Sequence, residues 1–211
     1  MALQLVHDQK QDGRREVARI ALARLSLGGR AILGQVEFSL HSGDTLALTG
    51  PSGIGKTSLL RVLAGLETRF DGNIIKPTKI AVVFQEPTLL LWRNVIDNLC
   101  LPLGVSRAVA EQALDEVGLA GRGAAFPGQL SLGQQRRLSL ARAFAANPDL
   151  LLMDEPFVSL DDDLANEMMS LFETLRARHD TTTLIVTHSE SEAKRLCNRV
   201  LRLDGSPAVL V

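Results

Sequence analysis

The sequence predicts an α/β fold whose sheet-and-helix core is interrupted by a helical insertion, and three observations carry that prediction. A continuously apolar strand, Thr45 to Thr49, runs straight into Gly50-Pro51-Ser52-Gly53 and then into helix-favouring residues from Lys56 to Ala64. Short apolar runs bounded by breakers recur at 80–84, 150–153 and 183–186. Between Glu86 and Asn147 these strand signals give way to helical ones.

Composition narrows the class. The chain has 211 residues, 45% of them hydrophobic and 22% charged, enough to bury a core as one domain or two fused subdomains. Disorder, collagen and disulfide scaffolds are excluded. Lys and Arg number 23 against 24 Asp and Glu, a formal net charge of -1, so no global field draws the chain to nucleic acid or to an anionic membrane. Any phosphate binding must be local, and no nucleic-acid partner is expected. Runs such as Leu150 to Met153 fall far short of the roughly 18 apolar residues that span a bilayer. The first twenty residues hold no apolar stretch of signal-peptide length. Cys100 and Cys197 stand alone, with no CxxC, as buried thiols of a reducing compartment do. The expectation is a soluble cytoplasmic protein. Among its aromatic residues are seven Phe, one Trp and no Tyr.

Along the chain, residues 1–16 are polar and charged and read as a flexible leader. From Val17 to Leu27 apolar residues alternate imperfectly, which predicts a strand. Val36, Phe38 and Leu40 alternate cleanly with polar neighbours, predicting a half-buried strand that turns at His41-Ser42-Gly43-Asp44. In the insertion, Val109, Leu114 and Val117 are expected on one helix face, and a second helix runs from Gln134 to Ala146 until Asn147-Pro148 stops it. Arg136, Arg137 and Arg142 then lie on a solvated or intersubdomain face of that helix. After Asp161, the spacing of Leu164, Met168, Leu171, Phe172 and Leu175 predicts an amphipathic helix.

Gly50-Pro51-Ser52-Gly53-Ile54-Gly55-Lys56-Thr57 matches GxxxxGK[ST]. Glycines let backbone N–H groups turn inward around phosphate oxygens, a lysine reaches the β- and γ-phosphates, and a threonine hydroxyl can sit on Mg²⁺. The helix that follows points its positive end at the same place. Further on, the apolar strand 150–153 ends in Asp154 and Glu155. Asp154 can join the magnesium shell beside Thr57, while Glu155, one residue later, points elsewhere and can polarise an attacking water.

Four weaker motifs follow in order: Gln85 after the strand that ends in Phe84, Leu130-Ser131-Leu132-Gly133-Gln134 at a helix start, Ser159-Leu160-Asp161 beyond the carboxylates, and His188 at a strand end. Singly each has a structural explanation: a strand-end histidine, an N-cap, a turn. Together with the phosphate loop they resemble the ATP-binding subunits of ABC transporters, over about residues 17–205. The resemblance implies a phosphate-loop NTPase (RecA-like) core at 17–85 and 148–211, with an antiparallel β region and an α-helical subdomain at 86–147. It implies ATP and Mg²⁺ as ligands. Nucleotide would be bound by 50–58, including Ser58, with the base near Leu27, and the metal held by Thr57, Gln85 and Asp154.

By the same resemblance Glu155, His188 and Gln85 are catalytic, Ser131, Leu132, Gly133 and Gln134 act on the ATP of a second copy, and Ser159, Leu160 and Asp161 couple two sites. A homodimer, or a pair with another nucleotide-binding subunit, would then sandwich two ATP. The stretch from Phe84 to Asn98 is similar to that of importer subunits for nitrate, sulfonate or taurine-type solutes, with Leu91 in place of a usual Pro. This implies that an integral membrane permease docks near Gln85 to Asn98, leaving the chain peripheral on the inner face of the cell membrane. Trp92 is either an anchor there or core filling. Two departures stand out: Leu132 replaces a glycine of the signature, and Leu27 falls where the family stacks adenine on an aromatic ring. A soluble, non-transport relative and a purely regulatory binding module are the competing readings. The former usually carries tandem domains or a coiled coil, for which the span 58–129 is short; the latter would not need Glu155 and His188.

Overall fold

The computed structural model describes residues 13–211. Most of the expected leader, residues 1–12, lies outside them. Gly13 to Arg15 are irregular but tied down: Arg14 donates to Asp44 at 2.7 Å, and the carbonyl of Arg15 accepts from Ser42 N at 2.9 Å.

The strands are β1 (Glu16–Leu27), β2 (Arg30–Leu33), β3 (Val36–His41), β4 (Thr45–Thr49), β5 (Asp71–Ile75), β6 (Ile80–Val83), β7 (Leu150–Asp154), β8 (Thr182–Val186), β9 (Arg199–Gly205) and β10 (Ala208–Leu210). The helices are α1 (Lys56–Ala64), α2 (Asp97–Leu103), α3 (Arg107–Glu116), α4 (Leu132–Ala145), α5 (Asp162–His179) and α6 (Glu190–Leu196). The strand order is β3-β1-β2-β10-β9-β4-β8-β7-β6, with β5 added to β1. From β9 to β6 the pairing is parallel; β1 pairs antiparallel with β2, β3 and β5. The chain therefore joins a parallel core to an antiparallel region, as expected for the fold class.

Physical causes are visible strand by strand. β4, β7 and β8 are buried almost throughout, which is why they read as continuous apolar runs rather than alternations. β1 and β3 alternate because one face meets the core and the other does not. One apolar core lies between α1 and the two parts of the sheet; a second joins α2, α3, α4 and α5 to the opposite face of β6 and β7. Helix α5 buries Met168, Met169, Phe172 and Leu175 and leaves Leu164 and Leu171 half-buried.

The expected face of α3 and the expected burial of the thiols need correction. Val109 is 42% exposed; α3 packs on Ala110, Ala113 and Leu114, with Val117 just beyond, because small alanines allow α4 to approach where the periodicity suggested a valine. Of the solvated and intersubdomain faces expected for the α4 arginines, the contacts favour the second. Arg136 is only 6% exposed, Arg137 donates to Val117 O at 2.6 Å and pairs with Glu167, and Arg142 donates to Thr88 O at 2.6 Å and Thr88 Oγ1 at 2.8 Å. The two thiols are half-buried rather than buried, and burial still pushes that of Cys197 up to about 12. No helix among the described residues is long and apolar enough to cross a membrane.

Candidate functional site

Ligands of parallel α/β sheets gather where strands end at their carboxyl edge, and here β4, β7 and β8 deliver the phosphate loop, the carboxylate pair and His188 to that edge. Two loop positions require glycine. Gly50 has φ 141° and a Cβ there would lie 2.6 Å from Leu203 O; Gly55 has φ 114° and a Cβ would lie 2.7 Å from a methyl of Leu33. The second contact shows that β2 packs directly on the phosphate loop.

Helix α1 starts at Lys56 with Gly55 as its cap, and no side chain takes up its first N–H groups through that cap. Free amide donors at a helix start are what an anionic phosphate uses. Lys56 is 4% exposed, and its Nζ donates to Gly50 O at 2.8 Å and Pro51 O at 2.9 Å. Those bonds brace the loop and leave one of three ammonium protons for a ligand oxygen. Burial holds the Lys56 ammonium below its usual pKa, against the opposing charges of Glu155 and Asp154.

Thr57 Oγ1 donates to Asp154 Oδ1 at 3.0 Å, across 97 residues of sequence. Burial pushes the Asp154 carboxyl up, the nearby Glu155 adds to this, and the Thr57 hydroxyl and Lys56 act against it. A hydroxyl and a carboxylate at this separation are hard oxygen donors. They fit Mg²⁺, which takes one or two protein oxygens and fills its octahedron with phosphates and water. Among the described residues no three acidic, histidine or cysteine side chains cluster as a metal cage.

Glu155 has φ 45°, an uncommon conformation for a residue with a side chain, and its N–H donates to Val186 O at 2.9 Å. The Glu155 carboxylate meets His188, whose Nδ1 lies 3.4 Å from Glu155 Oε2. Thr187 donates to Glu192 at 2.6 Å and accepts from Ser189 N at 3.0 Å, so it holds the turn that carries His188. Glu192 is a residue that sequence reasoning missed. Its signal was present: Ser189 caps α6 by accepting from Glu192 N at 3.3 Å, an S-x-x-E pattern at a helix start. A cavity of about 490 Å³ adjoins the loop, lined by Thr49 to Ser52, His188, Ala193, Lys194 and Arg202 among others.

Ser131 to Gln134, Ser159 to Asp161, Gln85 and Leu27 make no hydrogen bond or ion pair with this group among the described residues. Ser131 caps α4 in a reciprocal box with Gln134, at 3.3 and 3.0 Å. Leu132 is 48% exposed, and Gly133 has a structural reason, since a Cβ there would lie 3.0 Å from Leu164 Cδ1 on α5. Asp161 caps α5 through Leu164 N at 2.9 Å, following Ser159 in a left-handed turn at φ 61°, with Leu160 half-buried between them. Gln85 is exposed, and Leu27 is half-buried against the core at the end of β1.

This arrangement matches known proteins. The ABC transporter family model matches residues 33–158. The chain belongs to the ABC transporter family. It is 46% identical over 181 residues to the aliphatic sulfonates import ATP-binding protein SsuB 1 of Streptomyces avermitilis, covering 85% of this chain and 70% of that one. The SsuB 2 protein of Rhodococcus jostii is 43% identical over 209 residues, covering 95% and 85%. Among solved structures, the post-hydrolysis dimer of the ATP-binding cassette MJ0796 bound to ADP and Pi superposes with a TM-score of 0.78 at 26% identity, covering 92% and 96%. This ABC ATPase therefore binds and hydrolyses ATP.

Proposed function

We propose that this ABC ATPase powers an importer of aliphatic sulfonates or a similar nitrate- or taurine-type solute. The solute class is supported by the names of the relatives and by the stretch from Phe84 to Asn98. The observation that carries the chemical part is the convergence of Thr57 with Asp154, 3.0 Å apart, and of Glu155 with His188, 3.4 Å apart, on adjacent strand ends.

The phosphates of ATP rest on the amides of 50–58, and Lys56 turns its remaining proton to them. Mg²⁺ held by Thr57 and Asp154, with Gln85 reaching in, would neutralise charge on the phosphate oxygens. Glu155 orients and deprotonates the attacking water, and His188 steadies that carboxylate and contacts the γ-phosphate. Ser131, Leu132, Gly133 and Gln134, at the start of α4, serve the ATP of a second copy, with Ser159, Leu160 and Asp161 coupling the two sites. A dimer that closes on two ATP is the functional unit. Adenine lies against Leu27, an aliphatic surface in place of a ring.

The core comprises 17–85 and 148–211, and the helical subdomain 86–147. A membrane permease docks on the latter near Gln85 to Asn98, holding the chain at the inner face of the membrane. Leu91 is 64% and Trp92 73% exposed, an apolar pair left uncovered by the described residues, which disfavours a soluble non-transport role.

Glu155→Gln tests the chemistry. Turnover should fall by about 10²- to 10⁴-fold, the range for a lost general base, while an ATP-bound dimer accumulates on gel filtration. Wild-type-like hydrolysis would remove Glu155 from its role. Co-purification of a permease with the chain tests the importer reading.

A further inference from the structure

Helix α4 carries buried polar atoms with no partner among the described residues. Arg136 is 6% exposed, and neither its Nε nor its Nη1 meets an acceptor among the described residues. Ser139, three residues on along the same side of the helix, is 5% exposed and its Oγ is likewise unmatched. Native structures leave very few buried polar atoms unpaired, so three in one place call for an occupant. The set decides its chemistry: guanidinium N–H groups and a hydroxyl that can donate call for a group that only accepts, and an ionised carboxylate is such a group.

One carboxylate stands near. Glu86 is exposed, acts electrostatically on Arg136, and yet makes no ion pair within 4.0 Å of it. It follows Gln85 directly. Val83 is fixed in β6 opposite Met153, and Thr88 is fixed by its two bonds from Arg142. Only 84–87 lie between these anchors. A movement of Gln85 must be absorbed within that short link, so it carries Glu86 with it.

We propose that Glu86 closes on Arg136 and Ser139 when ATP occupies the site, which makes Arg136 a positioning residue that latches the Gln85 segment to the helix bearing Ser131 to Gln134. Nucleotide occupancy at one edge is thereby passed to the helix that meets the second copy's ATP. The latch rests on the reading of Gln85 as the residue that senses nucleotide. Without ATP, Nε and Nη1 of Arg136 stay unmatched among the described residues, and Arg142 ties the junction through Thr88.

The arginine side-chain Nε–H resonances of ¹⁵N-labelled chain, in a Glu155→Gln background with and without ATP and Mg²⁺, test this directly. The Arg136 signal, assigned by its loss in Arg136→Lys, should move on ATP addition, and Glu86→Gln should abolish that movement while the Gly55 amide still reports ATP binding. In the otherwise native chain, Glu86→Gln should lower kcat by about 2- to 30-fold, the span for a residue on a coupling route, with KM for ATP unchanged, and Glu86→Asp should recover part of it. An Arg136 signal indifferent to ATP, or one that moves equally in Glu86→Gln, overturns the latch. Gln85→Ala separates the two readings: a surviving shift there removes Gln85 as the trigger without touching the Glu86 pairing.

Discussion

Two buried aspartates sit at opposite ends of the same parallel sheet and have opposite fates. Asp44, at the entry to β4, is fully buried and accepts from Arg14 at 2.7 Å, Arg199 at 2.6 Å and His41 N at 3.0 Å. Burial alone would push its carboxyl up, but the His41 N–H and the two guanidinium groups outweigh it and hold the carboxyl low. Asp154, at the exit of β7, is 8% exposed, accepts from the Thr57 hydroxyl, and is held high by burial. Satisfied charge marks architecture; charge left short of partners marks the place where a ligand completes the set. Arg136 fits the second kind.

The sharpest way to break this contrast is to neutralise both carboxylates. Asp44→Asn should cost about 3–5 kcal/mol of stability, the range for breaking a buried pair by removing one partner, with ATP affinity intact in the folded fraction. Asp154→Asn should leave the thermal midpoint unchanged or raised and abolish hydrolysis. Equal thermal shifts in the two variants would erase the distinction.

A smaller effect belongs to the base. Leu27→Tyr should tighten ATP binding by about 1–3 kcal/mol, the worth of stacking a base on a ring, or roughly 5- to 150-fold. An unchanged Kd in a titration would put the adenine elsewhere.

Acid distinguishes the ends again. Asp44 has a folded pKa below its unfolded one, so its contribution is present above the unfolded value near about pH 3.9 and is lost as pH falls through the folded value. Asp154 has a folded pKa above its unfolded one, so its contribution is present below the unfolded value and is lost as pH rises through the folded one. Acid titration of the Asp44→Asn variant should therefore lack a low-pH loss that the native chain shows. The smallest expected change is Trp92→Ala, which should alter stability by no more than about 0.5 kcal/mol, as exposed substitutions do, and still abolish permease co-purification.

Legibility in the sequence followed how local each cause was. The strand–loop–helix of 45–64 was readable because its apolar run, glycines and helix formers are consecutive, and α1 spans the residues expected. β2, β5, β9 and β10 were not, because they are short or charged and exist through pairing with distant strands. Val109 misled because periodicity cannot tell which of two adjacent helix faces a neighbour will cover. Glu192 had a local signal in its capping pattern, five residues from its partner Thr187, whereas the burial of Arg136 depends on how α4 packs in the fold.

The sequence by itself determined the chemistry on offer: eight consecutive residues carry the phosphate loop, and an apolar strand ending in Asp154-Glu155 supplies the carboxylates, since dipoles, glycine freedom and charge are properties of adjacent residues. Tertiary structure alone decided what those groups face. Parallel pairing of β4, β8 and β7 brings Thr57 to Asp154 and Glu155 to His188, while Asp44 at the other edge is closed off by arginines. Whether a buried charge is finished or waiting depends on partners many residues away, and only the folded chain assembles them.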